Sequence, residues 1–400
     1  MIPYGKHYLD EDDINAVVDV LRNGALTQGP KVAEFEKVIT EYTGAKYAVA
    51  VSSGTAALHI ACIAAGINEG DIVVTTPNTF VASANCVMYQ SGVPEFVDIN
   101  PDTLNIDVEF LKDKCKKTAD IKAIIPVHFA GLPCDMSRIK KIANKSGAIV
   151  IEDASHALGS SYDDGTKVGN CRYSEMTVFS FHPVKGIAAG EGGMVTTNDE
   201  ALYYKLLKLR SHGICKGNFE FPGISVLDNQ LQKEEAATEN GELKMWYYEM
   251  QDLGYNYRIT DIQSALAISQ MKKVEKFIHR RRQLVKNYDR AFQQVDFIRS
   301  TQLNGRKQSS HHIYVVQIDF EKLGISRHEL MKKLFESGIG TQVHYIPIPM
   351  HPYYESRGYK ISDYPITSRY YQMALSIPLY YELSDEEQNN VIESLTLLLK

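Results

Sequence analysis

The sequence is poor in the features that mark metal-binding, membrane-spanning and nucleic-acid-binding proteins. Its six cysteines form no CxxC pair and no cluster with histidine, so we expect no structural zinc site. No run approaches the roughly 18 apolar residues of a membrane span, and the first residues lack the apolar core of a signal peptide. The net charge of -6 is too small to indicate a nucleic-acid partner. These absences predict a cytoplasmic protein.

The remaining composition is that of an ordinary globular protein. Hydrophobic residues make up 44% of the chain and charged residues 23%. Four hundred residues exceed what one small core organises, so we predict two domains. The predicted division is an extended lead over 1–13, a large domain over 14–258, a long connecting helix over 259–294, and a small α/β domain over 295–400. The polar stretch 216–241 has few apolar anchors and is predicted to be a mobile excursion.

Strand and helix patterns alternate through the first half of the chain. Short apolar runs at 47–51, 71–75, 94–97, 121–127 and 148–151 are separated by amphipathic, helix-like segments. Further strands are predicted near 177–179 and 194–196. This alternation is typical of an α/β protein with a mostly parallel sheet covered by helices on both faces.

One lysine stands apart from the others. Lys185 lies in the segment TVFSFHPVKGIAAGEGG, after a β-prone run and Pro183 and before the loop with Gly190, Gly192 and Gly193. It has no acidic neighbour for several residues on either side. Desolvation in such a setting lowers the pKa of an amine and frees it to attack a carbonyl. We therefore interpret Lys185 as a candidate nucleophile.

Two features suit a phosphate group. The loop SSGT ends with Gly54 and Thr55 at the expected start of a helix, where free backbone N–H groups and the helix dipole favour an anion. A strand-to-helix turn uses glycine and a capping serine or threonine in any case, so the pattern alone also fits a purely structural role. Ser180, five residues before Lys185, is a second candidate donor, although it also fits an ordinary strand-end serine.

Three further residues suit an aromatic cofactor ring. Asp153 follows the strand predicted at 148–151, at the sheet edge where open α/β sheets build their sites, and could hold a cationic ring nitrogen. It could equally cap the next helix. His156 could lie beside the ring or be packed in the core, and Phe80 could stack on the ring or fill the core. Together with Lys185 and the phosphate donors, this set matches what pyridoxal phosphate (PLP) requires.

The ordered segments SSGTAALHIA, EDASHALGS, FSFHPVK and GEGGMVTTND resemble one family. The chain is similar over nearly its whole length to the DegT/DnrJ/EryC1/StrS sugar aminotransferases, which have the fold-type-I PLP-dependent transferase architecture. Within this family, HPVK and the segment MWYYEMQDLGYNYRITDIQSALAISQMKK look most like the UDP-sugar 4-aminotransferases of pseudaminic acid biosynthesis.

The resemblance implies a role for each candidate. Lys185 would bond covalently to PLP and then move the proton, while Asp153 would pair with the ring nitrogen. Phe80 would stack on the cofactor ring, and His156 would contact the ring hydroxyl. Gly54, Thr55 and Ser180 would bind the phosphate.

The resemblance also implies a homodimer with two shared active sites. Asn256 would reach the phosphate in the neighbouring subunit. Tyr4 and His344 would lie near the nucleotide sugar.

The implied reaction transfers an amino group from L-glutamate to C4 of a UDP-linked 4-keto-6-deoxy-N-acetylhexosamine, in two half-reactions through pyridoxamine phosphate. The product would feed nonulosonic (pseudaminic) acid or another surface glycan. One alternative is the same reaction on a GDP- or dTDP-linked sugar. The others are a PLP-dependent dehydratase, a non-catalytic regulator, and an amino-acid aminotransferase. Lys185 argues against the dehydratase. The amino-acid aminotransferase would use an arginine of the small domain, where Arg327, Arg357 and Arg369 are available. The sequence departs from the family pattern at 186–189 and over 216–241.

Overall fold

The computed structural model describes residues 1–215, 238–239 and 242–399, with only the backbone at 238–239 and 242–243. The helices are α1 Glu11–Asn23, α2 Pro30–Thr43, α3 Gly54–Ala64, α4 Ala82–Met88, α5 Val108–Lys117, α6 Met136–Ser146, α7 Glu200–Arg210, α8 Asp261–Met271, α9 Val274–Phe292, α10 Phe320–Leu323, α11 Arg327–Glu336, α12 Pro352–Glu355, α13 Pro365–Met373 and α14 Asp385–Leu398. The strands are β1 Tyr47–Val51, β2 Ile72–Thr75, β3 Val93–Phe96, β4 Ile121–Ile124, β5 Ile149–Asp153, β6 Met176–Ser180, β7 Gly193–Thr197, β8 Ile214–Cys215, β9 Thr238–Glu239, β10 Glu242–Leu243, β11 Glu249–Met250, β12 Ile298–Ser300, β13 Tyr314–Ile318 and β14 Ala374–Ile377.

The main sheet has seven strands in the order β1-β7-β6-β5-β4-β2-β3. Strand β7 runs antiparallel to both of its neighbours, and the other pairings in this sheet are parallel. The predicted α/β fold with a mostly parallel sheet is therefore confirmed. Because β1 and β6 both oppose β7, the six remaining strands share one direction, and their carboxyl ends meet at one edge of the sheet.

Apolar side chains cover both faces of this sheet. On one face Phe35 and Ile39 of α2 are fully buried in a core that also contains Phe179 of β6. On the other face Leu58 and Ile60 of α3 pack in a second core. Burying each such side chain contributes roughly 1.5–3 kcal/mol. The two cores hold the carboxyl edge of the sheet as a rigid platform.

The N-terminal lead is shorter than predicted, and its first residues pack on the C-terminal unit. Helix α1 begins at Glu11, within the predicted lead of 1–13, because Asp10 caps it and accepts a hydrogen bond from the backbone N–H of Asp13. Ahead of the helix, the backbone of Ile2 pairs with that of Ile339. The lead therefore runs beside residues of the C-terminal unit.

The prediction of one long helix over 259–294 is wrong. The chain forms α8 and α9, separated at Lys272 and Lys273, and the ammonium of Lys273 pairs with the carboxylates of Asp10 and Asp13. Helix α8 is buried over much of its surface, whereas α9 has a buried stripe and a solvated face. The break therefore separates two helices with different burial patterns.

The C-terminal unit is an antiparallel sheet in the order β12-β13-β14, covered by α11 and α14. Helix α9 joins its core to the main core: Ile278 packs in the main core and Tyr288 in the C-terminal core. Between them the buried guanidinium of Arg281 donates to three backbone carbonyls, those of His311, His312 and Leu379. These contacts hold the C-terminal unit close to the carboxyl edge of the main sheet.

The excursion predicted over 216–241 lies outside the described residues, apart from the backbone of β9, and stays a prediction. The division into a large and a small domain likewise stays a prediction. No helix in the described part of the chain is long and apolar enough to cross a membrane. The same residues contain no group of three or more metal-ligating side chains placed to hold a metal ion.

Candidate active site

A cavity of about 600 Å³ opens at the carboxyl edge of the main sheet, facing the C-terminal unit. Strand ends, the start of α3, the N-terminal lead and the segment after α11 all contribute to its lining. Nine of the ten residues predicted from the sequence line it: Tyr4, Gly54, Thr55, Phe80, Asp153, His156, Ser180, Lys185 and His344.

One end of the cavity is formed by the first turn of α3. Ser53 caps this helix, its side chain accepting from the backbone N–H of Ala56 at 3.1 Å. The N–H groups of Gly54 and Thr55 precede the first intrahelical hydrogen bonds and are therefore available to a ligand. The hydroxyl of Ser180, at the end of β6, adjoins this turn. The arrangement suits an anion such as a phosphate.

Two glycines allow this close approach of loop and strands. A Cβ on Gly193 would lie 2.2 Å from the carbonyl oxygen of Ser53, and one on Gly54 would lie 2.8 Å from Cβ of Ser180. Gly193 also pairs with both Val51 and Ser180 in the sheet, so it lies directly between the two phosphate-binding elements. The GEGG segment is thus needed for the shape of this end of the cavity.

Lys185 projects into the cavity from the turn after β6. The turn is held by a hydrogen bond from the backbone N–H of Lys185 to the carbonyl of His182 at 2.8 Å. Burial lowers the pKa of Lys185 from 10.5 to about 8, although the charge of Asp153 acts in the opposite direction. A much larger fraction of the amine is therefore uncharged at neutral pH than in an exposed lysine.

The segment 186–189, where the sequence departs from the family pattern, lies behind this lysine. Ile187, Ala188 and Ala189 are buried, and the backbone N–H of Ala188 donates to the side chain of Gln270. None of these residues is part of the described cavity lining. The departure is therefore a change in packing beneath the site.

Asp153 is the last residue of β5, which extends two residues beyond the predicted end at Ile151. Its carboxylate is buried and accepts from the hydroxyl of Ser83 at 2.6 Å and from the backbone N–H of Ser155 at 3.1 Å. Thr79 in turn contacts Ser83 at 2.8 Å. Within the described residues, Asp153 forms no ion pair with a basic side chain at hydrogen-bonding distance. An oriented, buried carboxylate of this kind is suited to a cationic ligand.

His156 belongs to an aromatic cluster that lines the same cavity. Its Nδ1 atom accepts from the backbone N–H of Ala130 at 3.3 Å, its Nε2 atom lies 2.9 Å from the hydroxyl of Tyr345, and its ring centroid lies 4.3 Å from that of His312. Burial, with a smaller effect of the charge on Lys185, lowers the pKa of His156 well below its ordinary value. The imidazole is therefore neutral at physiological pH.

Two more of the predicted residues, Tyr4 and His344, lie together at the C-terminal side. Their ring centroids are 5.6 Å apart, and Nδ1 of His344 lies 2.8 Å from the hydroxyl of Ser376. Burial, and to a lesser extent the charge on Lys185, lowers the pKa of His344 to about 4. This side of the cavity is consequently aromatic and uncharged.

Phe80 and Asn256 differ in how the structure places them. The ring of Phe80 is 56% exposed above the cavity, so the alternative that it fills the core is wrong. Asn256 is exposed, pairs by its backbone with Ser211, and is absent from the cavity lining described in this chain. Its predicted role in a neighbouring subunit stays a prediction.

Sequence reasoning missed three residues of the site. Ser83 orients Asp153, Tyr345 contacts His156, and His312 packs against the His156 ring. Ser83 lies in the same segment as Phe80, and Tyr345 directly follows His344, so both had a local signal. His312 had none, because it joins the site only when the C-terminal unit packs on the sheet.

The family model of the DegT/DnrJ/EryC1/StrS aminotransferases matches residues 7–396. This chain belongs to that family. It is 38% identical over all of its length to the spore coat polysaccharide biosynthesis protein SpsC of Bacillus subtilis, covering 97% of that protein. It is 36% identical to a UDP-4-amino-4,6-dideoxy-N-acetyl-beta-L-altrosamine transaminase of Campylobacter jejuni, with 100% of this chain and 98% of the relative covered.

Solved structures agree with this assignment. Helicobacter pylori PseC, an aminotransferase involved in the biosynthesis of pseudoaminic acid, superposes with a TM-score of 0.87 at 29% identity, covering 100% of this chain and 99% of PseC. NtdA of Bacillus subtilis, solved with the bound cofactor pyridoxamine phosphate, gives 0.79 at 29% identity, covering 97% of this chain and 81% of NtdA. The chain is thus a sugar aminotransferase whose cofactor is PLP. The residues present fit that cofactor, since one cavity is lined by a partly buried lysine, by a buried carboxylate that has no ion-pair partner among the described residues, and by the first turn of a helix.

Proposed function

We propose that this protein transfers the amino group of L-glutamate to C4 of a UDP-linked 4-keto-6-deoxy-N-acetylhexosamine, for nonulosonic acid or another surface glycan. The observation that carries the proposal is that one cavity is lined by Lys185, Asp153 and the first turn of α3. PLP, when bound, supplies an electron sink that stabilises the carbanion formed as the amino donor loses its Cα proton.

Lys185 is the residue that bonds to the cofactor and moves the proton. Because its pKa is about 8, the amine can lose its proton near neutral pH and act as a nucleophile. Once displaced by an amino donor, the same Nζ atom accepts the Cα proton and returns it on the cofactor side. The short turn from His182 holds the backbone from which this side chain reaches the cavity.

The other proposed site residues bind and orient. Asp153, fixed by Ser83 and Ser155, holds a proton on the ring nitrogen. Gly54, Thr55 and Ser180 bind the phosphate, and Phe80 stacks on the ring from the exposed side. Tyr4 and His344 form the uncharged wall against which the nucleotide sugar lies.

The choice of nucleotide and sugar rests on the relatives. The C. jejuni relative is named for a UDP-linked aminosugar, and PseC is described for pseudoaminic acid biosynthesis. SpsC, with a slightly higher identity, is described only for spore coat polysaccharide. The assay must therefore distinguish a UDP-linked substrate from a GDP- or dTDP-linked 4-keto sugar.

The arginines that an amino-acid aminotransferase would use to bind a substrate carboxylate lie elsewhere. Among the described residues, no arginine lines the cavity. Arg327 donates to the backbone carbonyls of Tyr371 and Ala374, and Arg357 stacks on Tyr353. Arg369 is exposed elsewhere on the C-terminal unit. An arginine pairing with a substrate carboxylate would thus have to come from outside this wall.

We further propose a cytoplasmic homodimer in which Asn256 completes the site of the neighbouring subunit. Its exposure beside Ser211, away from the cavity of its own chain, supports this role. Asn256→Ala should weaken PLP binding without removing the visible absorption of the lysine-bound cofactor. Mixing Asn256→Ala with Lys185→Ala subunits should restore one intact site per mixed dimer.

The test uses absorption of the purified holoenzyme. L-glutamate should remove the visible band of the lysine-bound cofactor, and a UDP-linked 4-keto sugar should restore it faster than the GDP- or dTDP-linked counterparts. Lys185→Ala should abolish the cycle, whereas the matched control Lys37→Ala, an exposed helix residue, should leave it intact. A Lys185→Ala enzyme that turns over at a comparable rate would refute the assignment.

A further inference from the structure

Gln270, near the end of α8, is a buried glutamine that contacts the lysine loop, which we define as residues 182–189. Gln270 and Lys185 line the same narrow cavity of about 10 Å³, roughly the space that one water molecule needs. A buried amide costs free energy unless both of its ends form hydrogen bonds. The partners of Gln270 therefore show what its side chain does.

The hydrogen bonds of Gln270 fix the orientation of its amide. The nitrogen Nε2 lies 2.7 Å from Oδ2 of Asp13 and 3.0 Å from the backbone carbonyl oxygen of Tyr8. Both partners are acceptors, and only the NH₂ end of a glutamine has two hydrogens to donate. The oxygen Oε1 faces the lysine loop and accepts from the backbone N–H of Ala188, at an N···O distance of 3.4 Å. One amide thus joins α1 and the N-terminal lead to the lysine loop.

Asp13 keeps the amide in this orientation. Its carboxylate is buried and accepts at the same oxygen, Oδ2, from Gln270 and from the ammonium of Lys273, which lies 2.9 Å away. Turning the amide over would place its oxygen against this carboxylate and its NH₂ group against the N–H of Ala188. Both contacts would be repulsive. The Gln270 oxygen is therefore a fixed acceptor for the loop.

The other hydrogen bonds of the lysine loop are local. The N–H of Ala189 donates to the carbonyl of Phe181 at 2.9 Å, and the N–H of Lys185 donates within the loop. Among the described residues, Gln270 is the only side chain outside the loop that hydrogen-bonds to the loop backbone. Gln270 thus supplies the polar attachment between the loop and the helices behind it.

We propose that Gln270 is a positioning residue that holds the lysine loop, and with it the amine of Lys185, in place for proton transfer. This inference rests on the proposed role of Lys185. Gln270 does not belong to the described lining of the main cavity, so it acts through the loop. Proton transfer requires the amine within hydrogen-bonding reach of the substrate carbon. A displacement of about 1 Å caused by a distant substitution can lower a rate about a hundredfold.

The first test is Gln270→Met, which keeps the length of the side chain and removes both of its polar ends. Loss of the visible band of the lysine-bound cofactor is followed in a single turnover with saturating L-glutamate. The rate constant should fall about ten- to a hundredfold, because the amine is no longer held in line. The band itself and the L-glutamate concentration that gives the half-maximal rate should stay at their wild-type values, since the cavity lining is unchanged.

The matched control is Gln388→Met, which replaces another buried glutamine of the chain. In α14 the amide of Gln388 donates to the carbonyl of Leu284 at 2.7 Å and accepts from Asn287 at 3.1 Å, outside the main cavity. Urea unfolding should show that this variant is also destabilised, whereas its rate constant should equal that of wild type. If Gln270 served stability alone, Gln270→Met would behave in the same way. Its band amplitude would fall with the folded fraction, its rate constant would stay unchanged, and the proposal would be overturned.

Amide hydrogen exchange tests the attachment without using activity. The amide of Lys185 should exchange about tenfold faster in Gln270→Met than in wild type, the factor expected for one lost hydrogen bond, and should be unaffected in Gln388→Met. An unchanged rate in Gln270→Met would contradict the proposal.

A measurement on the wild-type holoenzyme covers the case in which Gln270→Met does not fold. After correction for intrinsic rates, the amide of Ala188 should exchange more slowly than that of Gly186, whose N–H has no hydrogen bond within the described residues. Equal exchange at the two positions would overturn the proposal. Failure of the proposed function looks different, because the wild-type band would then not respond to L-glutamate while the exchange pattern stayed as predicted.

Discussion

Lys185 is predicted to reduce the stability of the apoprotein, so that Lys185→Met should be more stable than wild type at neutral pH. Burial lowers the pKa of Lys185 from 10.5 to about 8 in the folded protein. Below pH 8 the amine is charged in both states, and the folded state bears the cost of its desolvation. The difference between these two pKa values corresponds to about 3 kcal/mol of unfolding free energy.

The sign of the pH dependence follows from the same shift. Between pH 8 and 10.5 the unfolded chain binds a proton at this lysine that the folded protein does not, so wild-type stability rises with pH in this window. The advantage of Lys185→Met should therefore be about 3 kcal/mol at pH 7 and should have mostly disappeared at pH 10.5. Urea unfolding of both apoproteins at the two pH values measures this difference.

The matched control is Lys37→Met, since Lys37 has 74% of its side chain exposed on α2. Its effect should stay within about 0.5 kcal/mol at both pH values. A Lys185→Met apoprotein that is as stable as wild type, or less stable, at pH 7 would refute the reasoning that burial lowers the pKa of this amine. A stabilised variant without activity would show a direct conflict between stability and function at one residue.

Three further substitutions test two residues of the site and one buried carboxylate next to Asp153 in β5. Asp153→Asn should keep PLP binding but lower kcat at least about tenfold, measured in the L-glutamate half-reaction, because a neutral amide no longer favours a protonated ring nitrogen; unchanged kcat would exclude that role. Gly54→Ala should weaken PLP affinity roughly tenfold in a spectroscopic titration, because its Cβ would lie 2.8 Å from that of Ser180. Glu152→Gln should lose about 2 kcal/mol at pH 7 in urea unfolding, because the buried carboxylate accepts from four side chains, including His128. These contacts lower its pKa, so wild type should lose this stability as the pH falls below 4.5 and the variant should not; equal acid sensitivity would contradict the assignment.

The main sheet could be predicted because its signals are local. Each strand is a short apolar run, and Asp153 and Ser180 follow the predicted runs within two residues. Parallel strands bring such ends to one edge, so most of the site follows from the order of elements alone. Lys185 was recognisable because it sits in a turn without nearby acidic residues.

The rest depended on contacts that sequence spacing does not encode. His312 and Tyr345 reach the site only through packing of the C-terminal unit, which follows from the buried surface of α9 and the carbonyl contacts of Arg281. The break before α9 involves Lys273 and carboxylates more than 250 residues away in the chain.

Transfer of isotope-labelled nitrogen tests the central claim most directly. The holoenzyme is first converted with L-glutamate labelled with nitrogen-15, separated from free amino acid, and then mixed with a UDP-linked 4-keto-6-deoxy-N-acetylhexosamine. The account predicts one equivalent of labelled nitrogen at C4 of the sugar for each active site, and return of the visible band. Recovery of an unaminated sugar, with the cofactor still in its amino form, would contradict it.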